Sequence, residues 1–203
     1  YSTFDGDIWS INSSGGERRQ LTSGPAGDLY PQLSPDGARV YFKSTRNGGS
    51  HVWRINADGT EPRQVTGETG GGPCGSTADG KWLYFTKDKN LYRVPADGGD
   101  ESKVSDVRML RAVCSPNAER VAYFFLGGGF KIGVMNTASG KVESSFEYGD
   151  GKALPQYLGW SPDNRTVNFV LSTGGRNALW QRSIDEAAPR MVADLGGDPR
   201  AVG

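Results

Sequence analysis

The chain has 203 residues and 21.8 kDa, with 23 basic and 23 acidic side chains and a formal net charge of zero, so it carries no basic footprint of a nucleic-acid binder. Its 30 glycines are roughly double the usual share, which excludes long helices and coiled coils, because glycine is costly inside a helix and useful in turns. No apolar run approaches the ~20 residues that span a bilayer, and two cysteines with one histidine supply neither a disulfide framework nor a metal cluster.

Along the chain, Ile8-Trp9, Val52-Trp53, Leu91-Tyr92, Ile132-Gly133 and Leu179-Trp180 each open a short strand that runs into a polar turn. Counted from the second residue of each pair, the spacings are 44, 39, 41 and 47. The turns that follow are Asn12-Ser-Ser-Gly-Gly16, Asn56-Ala-Asp-Gly59, Pro95-Ala-Asp-Gly-Gly99 and Asn136-Thr-Ala-Ser-Gly140, with a degraded form at Ser183-Ile-Asp185. A second motif alternates with the first: Ser34-Pro-Asp-Gly37, Thr77-Ala-Asp-Gly80, Ser115-Pro-Asn-Ala118 and Ser161-Pro-Asp-Asn164. Internal repetition at this period predicts a modular fold.

Each unit reads as four strands. The Ser-Pro-Asp-Gly elements are tight turns joining a first strand to a second. The second strands (39–42, 81–85, 120–125 and 166–171) run apolar with little alternation, as in sheets covered on both faces. The third strands carry Trp9, Trp53, Tyr92 and Trp180, and the fourth end at Gln20-Leu-Thr22, Gln64-Val-Thr66, Lys103-Val-Ser105 and Met191-Val-Ala193. The prediction is an all-β chain, a β-propeller of four-stranded antiparallel blades. A partial blade occupies 1–22, full blades lie at about 31–66, 73–105, 112–146 and 157–193, and a tail follows at 194–203. The partial blade and the tail are expected to mark a segment of a longer propeller of about six blades, since open blade edges are normally avoided.

These repeats resemble the TolB-type, WD40-like β-propeller repeat over essentially the whole chain. From Leu110-Arg-Ala-Val-Cys-Ser-Pro116 through Leu158-Gly-Trp-Ser-Pro-Asp163 to Ala178-Leu-Trp-Gln-Arg-Ser183, the chain is similar to extracytoplasmic propeller domains fused to bacterial winged-helix regulators or Ser/Thr kinases. The resemblance implies an extracytoplasmic or periplasmic location and specifies a fold better than an activity, since propellers host many functions.

Catalytic chemistry is sparse. No Gly-x-Ser-x-Gly nucleophile elbow is present. His51, just before a strand, reads as a turn histidine rather than a general base. The glycine runs 70–72 and 127–129 precede no helix and are connections, not phosphate loops. Asp36, Asp79, Asn117 and Asp163 sit one per turn and cap backbone N–H groups, whereas calcium needs 6–8 converging oxygens. Cys74 and Cys114 fall in first strands at the registers of Pro31 and Leu33, and read as small buried residues rather than a bridge. Trp9, Trp53 and Trp180 read as packing ladders between blades. No catalytic residue, metal ligand or cofactor is expected.

An antiparallel four-stranded unit puts the stereotyped Pro-Asp-Gly and Asp-Gly turns on one face and variable loops on the other. Those loops are 23–30, 67–73, 106–111 and 148–157 between units, and 45–50, 87–90, 127–129 and 173–177 within them. Function concentrates on such loops, so Arg108, Arg111, Tyr30, Asp28, Asp150, Lys152 and Tyr157 are the candidate binding residues. Arg108 and Arg111 lead, because the segment 106–111 has neither glycine nor proline and a fixed guanidinium pairs bidentately with carboxylate or phosphate. The expected function is a non-enzymatic module that binds a protein or small ligand, as a sensory or scaffolding part of a bacterial envelope protein. The alternative is an accessory propeller gating a prolyl-oligopeptidase-type serine hydrolase whose catalytic domain is not in this chain. Nucleic acid is not an expected partner, and self-association through open blade edges is.

Overall fold

The computed structural model describes residues 1–3, 6–67, 70–126, 130–148 and 154–197. Among the described residues there are eighteen strands and no helix. The chain divides into two compact units, Tyr1–Val107 and Arg108–Gly203.

The first unit opens with a two-stranded sheet, β1 (Trp9–Ser10) and β2 (Arg19–Gln20). Two four-stranded antiparallel sheets follow in sequential order. One contains β3 (Asp28–Leu33), β4 (Arg39–Ser44), β5 (His51–Asn56) and β6 (Arg63–Gln64). The next contains β7 (Pro73–Ser76), β8 (Trp82–Lys87), β9 (Asn90–Pro95) and β10 (Ser102–Ser105). The second unit has two more such sheets. They are β11 (Arg111–Cys114), β12 (Arg120–Leu126), β13 (Phe130–Asn136) and β14 (Val142–Glu147), then β15 (Leu154–Trp160), β16 (Thr166–Thr173), β17 (Arg176–Ser183) and β18 (Arg190–Gly196). We number these sheets as blades one to five, blade one being the β1–β2 sheet.

The repeat is reproduced residue by residue. Phe42 faces Trp53, Phe85 faces Tyr92 and Phe169 faces Trp180 in the β-ladders. In blade four the same register pairs Tyr123 with Gly133, and the Tyr123 ring occupies the space that a Cβ on Gly133 would need. The terminal threonines of the fourth-strand motif have a structural reason. Thr22 Oγ1 accepts the Ile8 N–H at 2.9 Å, and Thr66 Oγ1 accepts the Val52 N–H at 2.9 Å. Each therefore continues the third-to-fourth ladder after the strand proper has ended.

Within each unit the cores lie between sheets, because consecutive blades of that unit present apolar faces to each other. Ile8 and Leu21 of blade one pack with Val40, Phe42 and Ile55 of blade two. The other face of blade two contributes Tyr41, Val52 and Val65 to a cluster with Leu83, Phe85 and Val94 of blade three. In the second unit, Ala122, Phe124, Val134 and Phe146 pack on Leu158, Val167, Phe169 and Leu171. Phe42, Phe85 and Phe169 are fully buried, each contributing about 1.5–3 kcal/mol of transfer free energy. Runs of three buried residues in β4 (Val40–Phe42) and β8 (Leu83–Phe85) reflect cover on both faces, whereas β16 alternates buried and half-buried.

Several boundaries differ from the sequence reading. Asp28 and Tyr30 belong to β3 rather than to the preceding loop. The expected loop 173–177 shrinks to a Gly174-Gly175 hairpin, both residues having positive φ, as a two-residue turn between twisted strands requires. Residues 194–196 belong to β18, not to a tail. Blade one gains a further partner, since Ser2 bridges Ile8 antiparallel and Tyr1 accepts the Trp9 N–H at 2.9 Å. Finally, Cys74 and Cys114 are buried, as expected, but neither is a free thiol: both are disulfide-bonded.

Candidate functional site

The stereotyped turns are fully engaged in holding the fold. In blade two the Ser34 hydroxyl donates to Asp36 Oδ1 at 2.5 Å, that oxygen accepts the Ala38 N–H at 3.0 Å, and Ser34 Oγ accepts the Arg39 N–H at 2.9 Å. The same three bonds recur through Thr77 and Asp79, Ser115 and Asn117, and Ser161 and Asp163. The hydroxyl donors first, and then the backbone N–H groups, hold Asp36, Asp79 and Asp163 below the usual carboxylate pKa. The fourth turn position is left-handed in blades two to five, whether Gly37, Gly80, Ala118 or Asn164.

The Asp-Gly turns dock onto the preceding blade. A Cβ on Gly59 would lie 3.1 Å from the Leu21 carbonyl oxygen, and one on Gly98 would lie 3.3 Å from that of Val65. Both glycines also have positive φ, so conformation and space each demand glycine there. Asp97 of the second such turn accepts from Arg39 at 2.9 Å and Arg54 at 3.1 Å, both on blade two. In the second unit Asn164 Oδ1 accepts the Asn117 N–H at 2.9 Å, joining the turns of blades four and five. The polar groups of these turns are thus bonded to one another, while the turn tips stay exposed.

The candidate residues of the opposite face divide sharply. Asp28 is only 1% exposed, and its Oδ2 pairs with Arg46 Nη2 at 2.7 Å. Arg46 is the partner that the sequence reading missed, and it stacks over Phe42 and Trp53 at 5.2 and 4.7 Å from their ring centroids. Tyr30 is 59% exposed, stands at a register shift in β3 with φ 57°, and lies against Gly72. Asp150 and Lys152 fall outside the described residues.

In the second unit Arg111 reaches the strand that carries Tyr157. Arg111 opens β11 and its Nη1 donates to the Gln156 carbonyl at 3.3 Å, beside Tyr157 in β15. Tyr157 is 48% exposed, its phenol lying along the strand over Gly159. The Trp160 indole N–H donates to the Val113 carbonyl at 3.0 Å and fixes the same two strands. Arg108 is exposed, and the residues after it are anchored: Met109 is buried and the Leu110 N–H donates to the Phe124 carbonyl at 2.7 Å. Arg108 and Arg111 are thus exposed on an anchored segment, and a guanidinium group suits an anionic partner.

His51 is a buried strand residue rather than a turn histidine, its Nδ1 3.3 Å from the Gln64 side-chain nitrogen. Among the described residues no group of three or more His, Cys, Asp or Glu could hold a metal ion, and no helix is long and apolar enough to cross a membrane.

A family model described as the TolB beta propeller domain matches residues 2–152. The chain belongs to that family. It is 26% identical over 166 residues to an uncharacterised protein of Agrobacterium fabrum, covering 81% of this chain and 46% of that protein. The fold is similar to TolB from Acinetobacter baumannii, with a TM-score of 0.78, 21% identity and coverage of 95% of this chain and 49% of that one. It is also similar to a protein assigned as TolB in Agrobacterium tumefaciens, with a TM-score of 0.75, 18% identity and coverage of 95% and 76%. The chain thus spans about half the length of the first two. Enzymes share the architecture too: an oligogalacturonate lyase of Vibrio parahaemolyticus has a TM-score of 0.57 at 10% identity over 93% of this chain and 72% of that one.

Proposed function

We propose that this TolB-type propeller chain is a non-enzymatic binding module of a bacterial envelope protein, sensory or scaffolding in role, that holds a protein or small ligand through its variable-loop face. The observation that carries the reading is the division of labour between faces. The polar groups of the turn face are engaged in their own staples and inter-blade contacts, whereas Arg108, Arg111 and Tyr157 stand exposed on anchored backbone. Rigid support keeps side chains in place for a partner and lowers the ordering cost of binding. An extracytoplasmic location belongs to the same proposal. The family membership supports it, and so do the two disulfide-bonded cysteines, since disulfides persist in oxidising compartments. Self-association through blade edges is also part of it, because edge strand β18 exposes Met191, Val192 and Leu195.

The reading is tested by capturing partners from a bacterial envelope extract on the immobilised chain, in parallel with an Arg108→Ala/Arg111→Ala variant and a turn-face Lys81→Ala variant. The proposal expects specific capture lost only in the arginine variant. Equal capture by all three would overturn the site, and sedimentation independent of concentration would overturn the self-association.

A further inference from the structure

Three blades present the same cross-strand pair of aromatic residues, and they differ in what lies over the third-strand ring. In blade two Arg46 sits 4.7 Å from the Trp53 centroid and is paired with Asp28 at 2.7 Å. In blade three Lys87 Nζ sits 5.1 Å from the Tyr92 centroid and is paired with Glu101 at 3.2 Å. The arrangement is aromatic ring, cation, acceptor. Blade five places Trp180 in the same register, facing Phe169 as Tyr92 faces Phe85. Yet among the described residues no cation lies over Trp180. Lys87 stands two residues after Phe85 and Arg46 four after Phe42; the matching positions after Phe169 are Leu171 and Thr173.

What remains there is a cavity of about 200 Å³ lined by Leu171, Thr173 and Trp180 among others. Asn177 also lines it; the residue is 3% exposed, and its Oδ1 is buried with no hydrogen-bond partner. At the rim Arg176 donates to Asp194 at 2.6 Å, so the charge of that arginine is already balanced. The volume is below the about 300–1,000 Å³ of a drug-sized pocket and suits one side-chain-sized group.

We propose that this cavity binds a small organic cation bearing N–H donors, an alkylammonium or alkylguanidinium group. The cation would rest on the Trp180 ring, where quadrupole attraction favours it. It supplies from outside what Arg46 and Lys87 supply from within blades two and three. The group belongs either to a free amine or to a lysine or arginine side chain of a polypeptide. This site is separate from the Arg108–Arg111 segment and stands or falls independently of it.

The test is a titration of the full chain with butylammonium, butylguanidinium and neutral butanol, following the Trp180 indole N–H resonance assigned with a Trp180→Phe variant. Saturable shifts with the two cations, and at least tenfold weaker response to butanol, are expected. Thr173→Arg, at an exposed position, places a guanidinium where blade two has Arg46. It should weaken the cation response at least tenfold, while Thr173→Ser leaves it unchanged. N-acetyl-lysine methylamide binding more tightly than butylammonium assigns the polypeptide source, and the reverse order assigns the free amine. No saturable shift, an equal response to butanol, or an unchanged response in a folded Thr173→Arg variant would overturn the proposal.

Discussion

Arg46 reaches Asp28 at 2.7 Å across 18 residues of sequence, and the carboxylate it meets is almost wholly buried. The pair lies where blade two meets blade one, since the Asp28 N–H also donates to the Gly6 carbonyl at 2.6 Å. Arg46→Ala should therefore leave a buried carboxylate uncompensated and destabilise the chain by about 3 kcal/mol, the lower end for a broken buried pair, because Arg46 itself is partly exposed. Asp28→Asn combined with Arg46→Met should recover much of that loss. Denaturant unfolding of the single and double variants measures both.

Acid should loosen the turns. The folded-state pKa values of Asp36, Asp79 and Asp163 are depressed below the ordinary 3.8 by the Ser34, Thr77 and Ser161 hydroxyls and by backbone N–H groups. Depressed folded values mean that the contribution is present above the unfolded pKa and disappears as pH falls through the folded one. The melting temperature should thus decline below about pH 4. In the triple variant Asp36→Asn, Asp79→Asn, Asp163→Asn that acid limb should be shallower, Asn117 already filling the role in blade four. Melting curves from pH 7 to pH 2 on both proteins decide it.

Glycine is replaceable in one kind of turn and not in the other. Gly98→Ala meets both a left-handed backbone, costing about 1–2 kcal/mol, and the Val65 carbonyl at 3.3 Å. Gly80→Asn meets nothing within 4 Å and copies Asn164, so its effect should stay within about 0.5 kcal/mol. Equal losses in the two variants by chemical denaturation would contradict the docking role of the Asp-Gly turn.

The untreated protein should react with no thiol reagent, since neither cysteine is free. Reduction should lower its stability by about 2–4 kcal/mol. Thiol counting before and after denaturation, with melting curves in reductant, checks both statements.

What the sequence disclosed was what is local. The Ser-x-Asp staple closes within five residues, so its spacing alone identified the turns, and the third-strand register of Trp9, Trp53, Tyr92 and Trp180 followed from counting between them. Asp28 was placed on the loop face because its burial depends on Arg46, which arrives from the next hairpin. The state of Cys74 and Cys114 was misjudged for a similar reason, as their spacing along the chain says nothing of distance in space. Asn164 was read as a turn residue only, although its side chain also reaches the neighbouring turn at Asn117. Arg111 and Tyr157 were legible as two loop residues. The bond from Arg111 to the Gln156 carbonyl was not, because it depends on first strands packing side by side.

The central claim is that the exposed arginines bind a partner rather than hold the fold. Affinity and melting temperature measured together on Arg108→Ala/Arg111→Ala, with the captured partner as ligand, test it most directly. The account predicts at least a tenfold loss of affinity, about 1.4 kcal/mol, with the melting temperature nearly unchanged, because the Arg111–Gln156 bond is long and exposed. A lowered melting temperature with affinity per folded molecule unaltered would contradict it.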